Sequence, residues 1–292
     1  MDTQQITAFI AVAETSSFTL AAERLYLTQP AISKRINLLE QFLGNRLFDR
    51  IGKKIKLTEA GQILMPHAKK ILREIEDTRN AVQNLSQSVS GRLTLASSHH
   101  IGLHRLPPVL KQYSGSYPDV SIDISFQDSE KAYDQIAHGE IELAVVTLAN
   151  VQTEKILNYA LWEDELCIMT SQNHPITKYK HIILNDLLDF PAILPGGNTF
   201  TRQLINNIFQ DADLKLELEM STNYLETIKM MVSVGMAWSI LPLTMVDRSV
   251  RVLPIKNFIL KRQLGYIYHQ EHTLSNAATA FIECLNKYAT LD

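Results

Sequence analysis

Between Leu64 and Leu85 one series of side chains recurs without a break at 4-3-4-3-4-3 spacing: Leu64, Ala68, Ile71, Ile75, Thr78, Val82 and Leu85. Only an α-helix puts such a series on one face, and a seam that keeps to 3.5 residues per turn suits two helices wound around each other. One long helix is therefore fixed in the first third of the chain, dividing a short N-terminal segment from a longer C-terminal one. Two arrangements satisfy the seam: a coiled coil between two copies of the chain, or an amphipathic helix packed on its own domain. Pro66 is discordant, since it removes a backbone donor and kinks a helix interior. The small and polar stretch Gln83 to Gly91 (QNLSQSVSG) comes next and reads as a hinge.

Upstream of the seam the apolar spacing is helical. Ile6, Phe9, Ile10 and Ala13 form one stripe that stops at Glu14-Thr15-Ser16-Ser17. Ser17 can cap a second helix, Phe18 to Leu25, in which Ala21 and Ala22 are small enough for close helix approach. Tyr26-Leu27 makes a short connection, and Thr28 can cap a third helix whose first turn tolerates Pro30. In that helix Ile32, Ile36 and Leu39 share one face, while Gln29, Ser33, Lys34 and Asn37 share another. Amides, a hydroxyl and a cation on one exposed face are the groups that read base edges and phosphates, so the pair is either a helix-turn-helix or an ordinary helical hairpin. After Gly44, Ile51, Ile55 and Leu57 alternate around Gly52 and two lysines, which suggests a short β-hairpin with a basic tip, a wing.

The charge pattern bears on that choice. Across 292 residues the net charge is −3, which by itself argues against a phosphate-seeking protein. Up to Ser90, however, 12 basic residues face 9 acidic ones, a net of +3, and beyond it 16 face 22, a net of −6. Gln29 to Lys56 alone holds seven cations (Lys34, Arg35, Arg46, Arg50, Lys53, Lys54 and Lys56) against Glu40 and Asp49. Such a cluster is either a footprint for DNA or a solvated basic face.

The residues of this region also spell a family pattern. Phe9-Ile10-Ala11-Val12-Ala13, Ser17-Phe18-Thr19-Leu20-Ala21-Ala22-Glu23-Arg24-Leu25, Thr28-Gln29-Pro30-Ala31-Ile32-Ser33, Leu38-Leu39-Glu40, Leu43-Gly44, Leu47-Phe48-Asp49-Arg50 and Leu57-Thr58-Glu59-Ala60-Gly61 strongly resemble the DNA-binding domain of LysR-type transcriptional regulators. The resemblance implies an α/β protein overall: a winged helix-turn-helix over residues 1–58, a dimerising linker helix and hinge over 59–90, and a two-lobed effector-binding domain built like a periplasmic binding protein over 91–292. Lobe I would take about 91–161 and 266–292, lobe II about 162–265. By the same resemblance Gln29, Pro30, Ser33 and Lys34 would meet the major groove, and Arg50 and Lys53 would serve the wing and backbone. Ser17, Thr28, Arg35, Asn37 and Lys54 complete the candidate DNA-binding set. A homodimer or homotetramer on an interrupted inverted repeat, with RNA polymerase as a further partner, is expected on the same ground.

Downstream of the hinge, strand and helix signals alternate: Arg92 to Ala96, Leu106 to Tyr113, Val120 to Phe126, Ser129 to Ala137 and Leu143 to Thr147. This is the rhythm of parallel α/β units. A second set runs from Leu166 to Leu241, and Leu264 to Tyr268 with Asn276 to Tyr288 would return the chain to the first, giving two lobes joined by two crossings. Ligands of open sheets bind beyond the carboxyl ends of the strands. That rule nominates Ser97, Ser98, His99 and His100 after the first strand, Asp128 and Thr147 after the next two, and Gly197, Asn198, Thr199 and Asn223 in the other lobe. The effector they would hold is a small molecule of unknown identity; helix N-termini at Ser98 and Thr199 favour an anion. Each of these residues is equally at home as a cap or turn filler.

No catalytic motif is present: Gly-x-Ser-x-Gly, His-Glu-x-x-His and glycine-rich phosphate loops are all missing. Neither an enzyme nor a protein with a resident cofactor is expected. Cys167 and Cys284 are too few for a thiolate zinc site, and His269-Gln270-Glu271-His272 lacks a recognised third ligand, so no metal is expected either. The N-terminus shows no signal peptide, and the longest uncharged run, Met230 to Val246, is interrupted by Gly235 and Pro242 and falls short of the roughly 20 apolar residues of a bilayer span. A cytoplasmic regulator without membrane contact is expected; the competing reading is a solute-binding receptor without sequence-specific DNA binding.

Overall fold

The computed structural model describes residues 1–51, 54–85, 88–150, 155–216, 218 and 220–290, but not the side chains of Arg50, Ile51, Lys54 and Gln83. It divides into two compact units, Met1–Ser86 with His138–Glu140, and Gln87–Ala137 with Ile141–Asp292.

The first unit opens with three helices: α1 (Thr3–Thr15), α2 (Phe18–Arg24) and α3 (Gln29–Leu43). Each begins at a side-chain cap. Asp2 accepts from the Gln5 amide while the Gln5 side chain accepts from the Asp2 amide, a reciprocal capping box. Ser17 accepts from Leu20 and Thr28 from Ala31. Tyr26, at φ 54°, turns the chain between α2 and α3, and Gly44, at φ 69°, ends α3 in the left-handed conformation that glycine adopts without strain. Ile6, Phe9, Val12, Ala21, Ile32, Ile36 and Leu39 make the core, closed by Phe48, whose ring lies 5.4 Å from Phe9 and 5.9 Å from Phe18. That packing starts the hairpin at Phe48, earlier than the alternation suggested: β1 (Phe48–Ile51) pairs antiparallel with β2 (Lys54–Leu57).

Thr58 then accepts from the Gly61 amide at the head of α4 (Glu59–Asn84), a single helix that runs through Pro66. Its seam splits in two. Leu64, Ala68 and Ile71 pack into the core of the head, whereas Ile75, Val82 and Leu85 are exposed by 45%, 63% and 83%.

The second unit has two lobes. In the first, β3 (Gly91–Ser97) lies parallel between β4 (Val120–Phe126) and β5 (Leu143–Thr147), with α5 (His99–His104), α6 (Leu106–Ser116) and α7 (Ser129–Ala137) in the crossovers. Tyr113, Leu93, Val145 and Phe281 pack on one face of this sheet, and Ala132, Tyr133, Ile136 and Val146 on the other. The second lobe contains β7 (Ile193–Leu194), α8 (Phe200–Asp211), β8 (Met220–Ser221), α9 (Leu225–Ser233), β9 (Ser239–Pro242) and β10 (Val250–Val252). Trp238 anchors its core and donates Nε1 to the carbonyls of Leu187 and Phe190.

Two long strands are common to both lobes: β6 (Ile156–Ser171) and β11 (Leu260–His269), antiparallel from Leu260 opposite Leu166 to His269 opposite Ile156. Their register shifts between Leu264 and Gly265, and a Cβ on Gly265 would stand 2.0 Å from the Tyr159 carbonyl, so only glycine fits this bulge. The sequence suggests shorter strands, Leu166 to Thr170 and Leu264 to Tyr268, because Glu163, Asp164 and Arg262 interrupt the apolar pattern. α10 (Asn276–Ala289) returns to the first lobe, where Tyr113 donates to the Ala277 carbonyl at 2.7 Å.

Candidate nucleic-acid interface and effector cleft

Helix α3 has one buried face and one free face. Ile32, Ile36 and Leu39 are sealed in the core, and Thr28, Gln29, Pro30, Lys34 and Asn37 stand exposed along the other side. Gln29 Nε2 donates to Ser33 Oγ at 2.9 Å, which orients the amide while leaving its carbonyl oxygen and second N–H available. Arg35 is engaged elsewhere: Nη2 donates to Gln4 Oε1 on α1 at 2.9 Å, so it must release Gln4 before touching another group. Ser17 is half-buried in its capping role. In the wing, Lys53 and the side chains of Arg50 and Lys54 lie outside the described residues.

The cleft between the lobes of the second unit, open to solvent, gathers seven of the ten nominated residues: Ser98, His99, His100, Asp128, Thr147, Thr199 and Asn223. Three do not line it. Ser97 is buried behind the cleft, donating to the Val145 carbonyl at 2.9 Å. Gly197 and Asn198 face solvent at the turn before α8. Gln127, Ser129, Glu130, Thr201 and Arg262 line the cleft in addition. Ser129 and Glu130 could have been found from the same strand-end rule applied two residues further along; Thr201 and Arg262 carry no local signal.

Contacts across the cleft join the lobes. Asn223 donates Nδ2 to Asp128 Oδ2 at 2.7 Å and accepts the Gly196 amide at 2.8 Å on its oxygen. Glu130 accepts the Phe200 amide at 2.5 Å, placing a carboxylate at the N-terminus of α8; burial nevertheless pushes the Glu130 carboxyl up. Ser98 heads α5 without using its hydroxyl as a cap. At the mouth, His99 stacks on Phe126 from its own lobe and meets Tyr224 from the other edge-on, 4.8 Å between centroids. On the floor, Arg262 pairs with Asp164 at 2.8 Å and donates to Thr201 Oγ1 at 2.8 Å. Arg202, which by its place in the sequence could counter an anion or pair with an acid on the surface, turns inward to the Pro195 carbonyl and Asn206.

The remaining candidate chemistry is quiet. Cys167 lies in β6 and Cys284 in α10; both are buried, and burial raises both thiols, Cys167 to about 12. His269 Nδ1 accepts the Glu271 amide at 3.2 Å, which commits it to the turn after β11. No helix among the described residues is long and apolar enough to cross a membrane.

Two family models cover the chain in order: the bacterial regulatory helix-turn-helix protein of the lysR family over residues 3–62 and the LysR substrate binding domain over residues 86–290. A probable RuBisCO transcriptional regulator of Synechocystis is 30% identical over 98% of this chain and 86% of its own. An uncharacterized HTH-type transcriptional regulator of Azotobacter vinelandii is 66% identical over 37% of this chain and 75% of its own. Full-length CbnR complexed with its target DNA superposes with a TM-score of 0.66 at 21% identity, covering 99% of this chain and 100% of that one. Reading head and sensing half are thus matched together and in sequence, and the chain belongs to the LysR family of DNA-binding transcriptional regulators controlled through an effector-binding domain.

Proposed function

We propose that this regulator works from the cytoplasm as a homodimer or tetramer joined through the free half of α4, binding an interrupted inverted repeat in a promoter and acting on RNA polymerase. The observation that carries the reading is the free face of α3, where Gln29, Lys34 and Asn37 stand exposed opposite a sealed core face and Ser33 orients the Gln29 amide. A two-fold pair of such helices demands two half-sites. The wing residues Arg50, Lys53 and Lys54 then serve the flanking backbone, Pro30 meets the major groove beside Gln29, and Ser17, Thr28 and Arg35 serve the phosphates beside the reading helix.

Fluorescence anisotropy on a promoter fragment tests the reading. Gln29→Ala is expected to weaken specific binding about 10-fold to 100-fold, the range of one good bidentate base contact, and to leave non-specific binding unchanged. Ser33→Ala loses less, because it only unpins the amide. Equal sequence selectivity in both variants and wild type would remove Gln29 from base reading.

For the effector we infer a small anionic metabolite. Its anionic end belongs at the uncommitted Ser98 hydroxyl beside His99, since Glu130 already occupies the N-terminus of α8 and Asp128, beyond the neighbouring strand, is committed to Asn223 across the cleft. Asp128, Thr147 and Asn223 then take its hydroxyl or amino groups. Calorimetric titration with small organic acids decides this: heat that persists undiminished in Ser98→Ala places the anion elsewhere.

A further inference from the structure

Two histidines of the first lobe and a glutamate of the second meet beside the cleft, His100 lining it and His104 and Glu226 lining a neighbouring surface recess. His100 and His104 are one turn apart on α5, so both rings emerge on one side, with centroids 4.6 Å apart. Glu226, in the first turn of α9, brings Oε1 to 3.3 Å from His104 Nε2 and 3.6 Å from His100 Nδ1. One donor atom of each residue lies within 4.8 Å of those of the other two. Ligands at about 2.0–2.1 Å around a tetrahedral ion stand about 3.3–3.4 Å from one another, close to both measured separations.

An independent observation concerns His100 itself. Its side chain is only 4% exposed, and Nδ1 has no hydrogen-bond partner among the described residues. Buried polar atoms are almost always satisfied, and an orphan aimed at a carboxylate just beyond hydrogen-bond reach points to an absent third party.

We propose that His100, His104 and Glu226 form a site for a divalent transition-metal ion of the zinc type. Two imidazoles and one carboxylate are the ligand types such ions take, with two histidines four apart on a helix and the acid from elsewhere. The fourth position opens on the side of His104 and Glu226, whose side chains are exposed by 38% and 36% and line a surface recess with Met230 and Met245. Because the histidines and the glutamate come from different lobes, a bound ion ties α5 to α9 beside the effector cleft, whatever the effector is.

The test is titration of the full-length protein, freed of metal by chelation, with Co²⁺ and with Zn²⁺ in competition with a chromophoric chelator. Wild type is expected to take up one ion per chain at this site and to show the visible absorption of four-coordinate Co²⁺. His104→Ala and Glu226→Gln, both at half-exposed positions, should weaken that ion by more than about 100-fold, the upper figure for losing even an outer-shell partner. His104→Asp, which exchanges one ligand for another, should retain Co²⁺ with a shifted spectrum, a response that a merely structural histidine would not give. Wild-type protein without such absorption, or alanine and glutamine variants that bind as wild type with unchanged circular dichroism, would overturn the site.

Discussion

Arg262 and Asp164 form an ion pair whose side chains are exposed by only 5% and 1%. Their pairing at 2.8 Å, with Thr201 taking a further guanidinium N–H, satisfies both groups on the floor of the cleft. Removing one partner leaves the other charged, buried and uncompensated, which typically costs about 3–5 kcal/mol. Arg262→Met is therefore expected to destabilise the second unit by that amount, while Arg262→Met with Asp164→Leu recovers most of it. Urea unfolding followed by tryptophan fluorescence reads the effect, since Trp162 and Trp238 both lie in this unit. If the single substitution proved as mild as the double, the pair would not be holding the floor. At this scale the sequence was only partly legible. The caps at Ser17 and Thr28 are local chemistry and could be read directly. Arg202 and Arg262 look alike in sequence, yet one faces its own lobe's backbone and the other the cleft; nothing within a few residues of either distinguishes them.

Helix α4 shows how one periodic pattern can serve two packings. Leu64, Ala68 and Ile71 are consumed by the head, and Ile75, Thr78, Val82 and Leu85 remain exposed. Asp substitutions in the two halves should therefore fail differently. Ile75→Asp/Val82→Asp is expected to sediment as a smaller species with its helical content intact and to bind the promoter repeat more weakly, whereas Leu64→Asp unfolds the head itself. A double variant that sediments as wild type would place the dimer contact elsewhere. Spacing alone left both packings open, because a seam records that one face is apolar and not which surface covers it. Strands β6 and β11 pose the converse case. Each was visible only in part, since the polar residues at 163–165 and Arg262 break the alternation, and the burial of Asp164 and Arg262 depends on a partner 98 positions away.

Charge separates along the chain, a net of +3 up to Ser90 and −6 beyond. Phosphate binding releases counterions in proportion to the cations engaged, so affinity for DNA should fall steeply with salt. Lys34→Ala is expected to reduce the slope of log affinity against log salt by about 1 for each reading head. Lys111→Ala, on an exposed helix of the second unit, should leave it unchanged; equal effects would mean that the acidic unit also meets the duplex. The sequence by itself determined the head, the long helix and the α/β rhythm of the remainder, because caps, helical periodicity and strand–helix alternation are short-range and repeat within one or two turns. It also located most of the cleft, since strand ends and helix N-termini are local landmarks. Tertiary structure alone decided which half of the seam stays free, where the two lobes share strands, and that Glu226 meets a histidine 122 positions away. Those outcomes depend on which distant surfaces exclude water from one another, and a linear pattern carries no record of that pairing until the chain has closed.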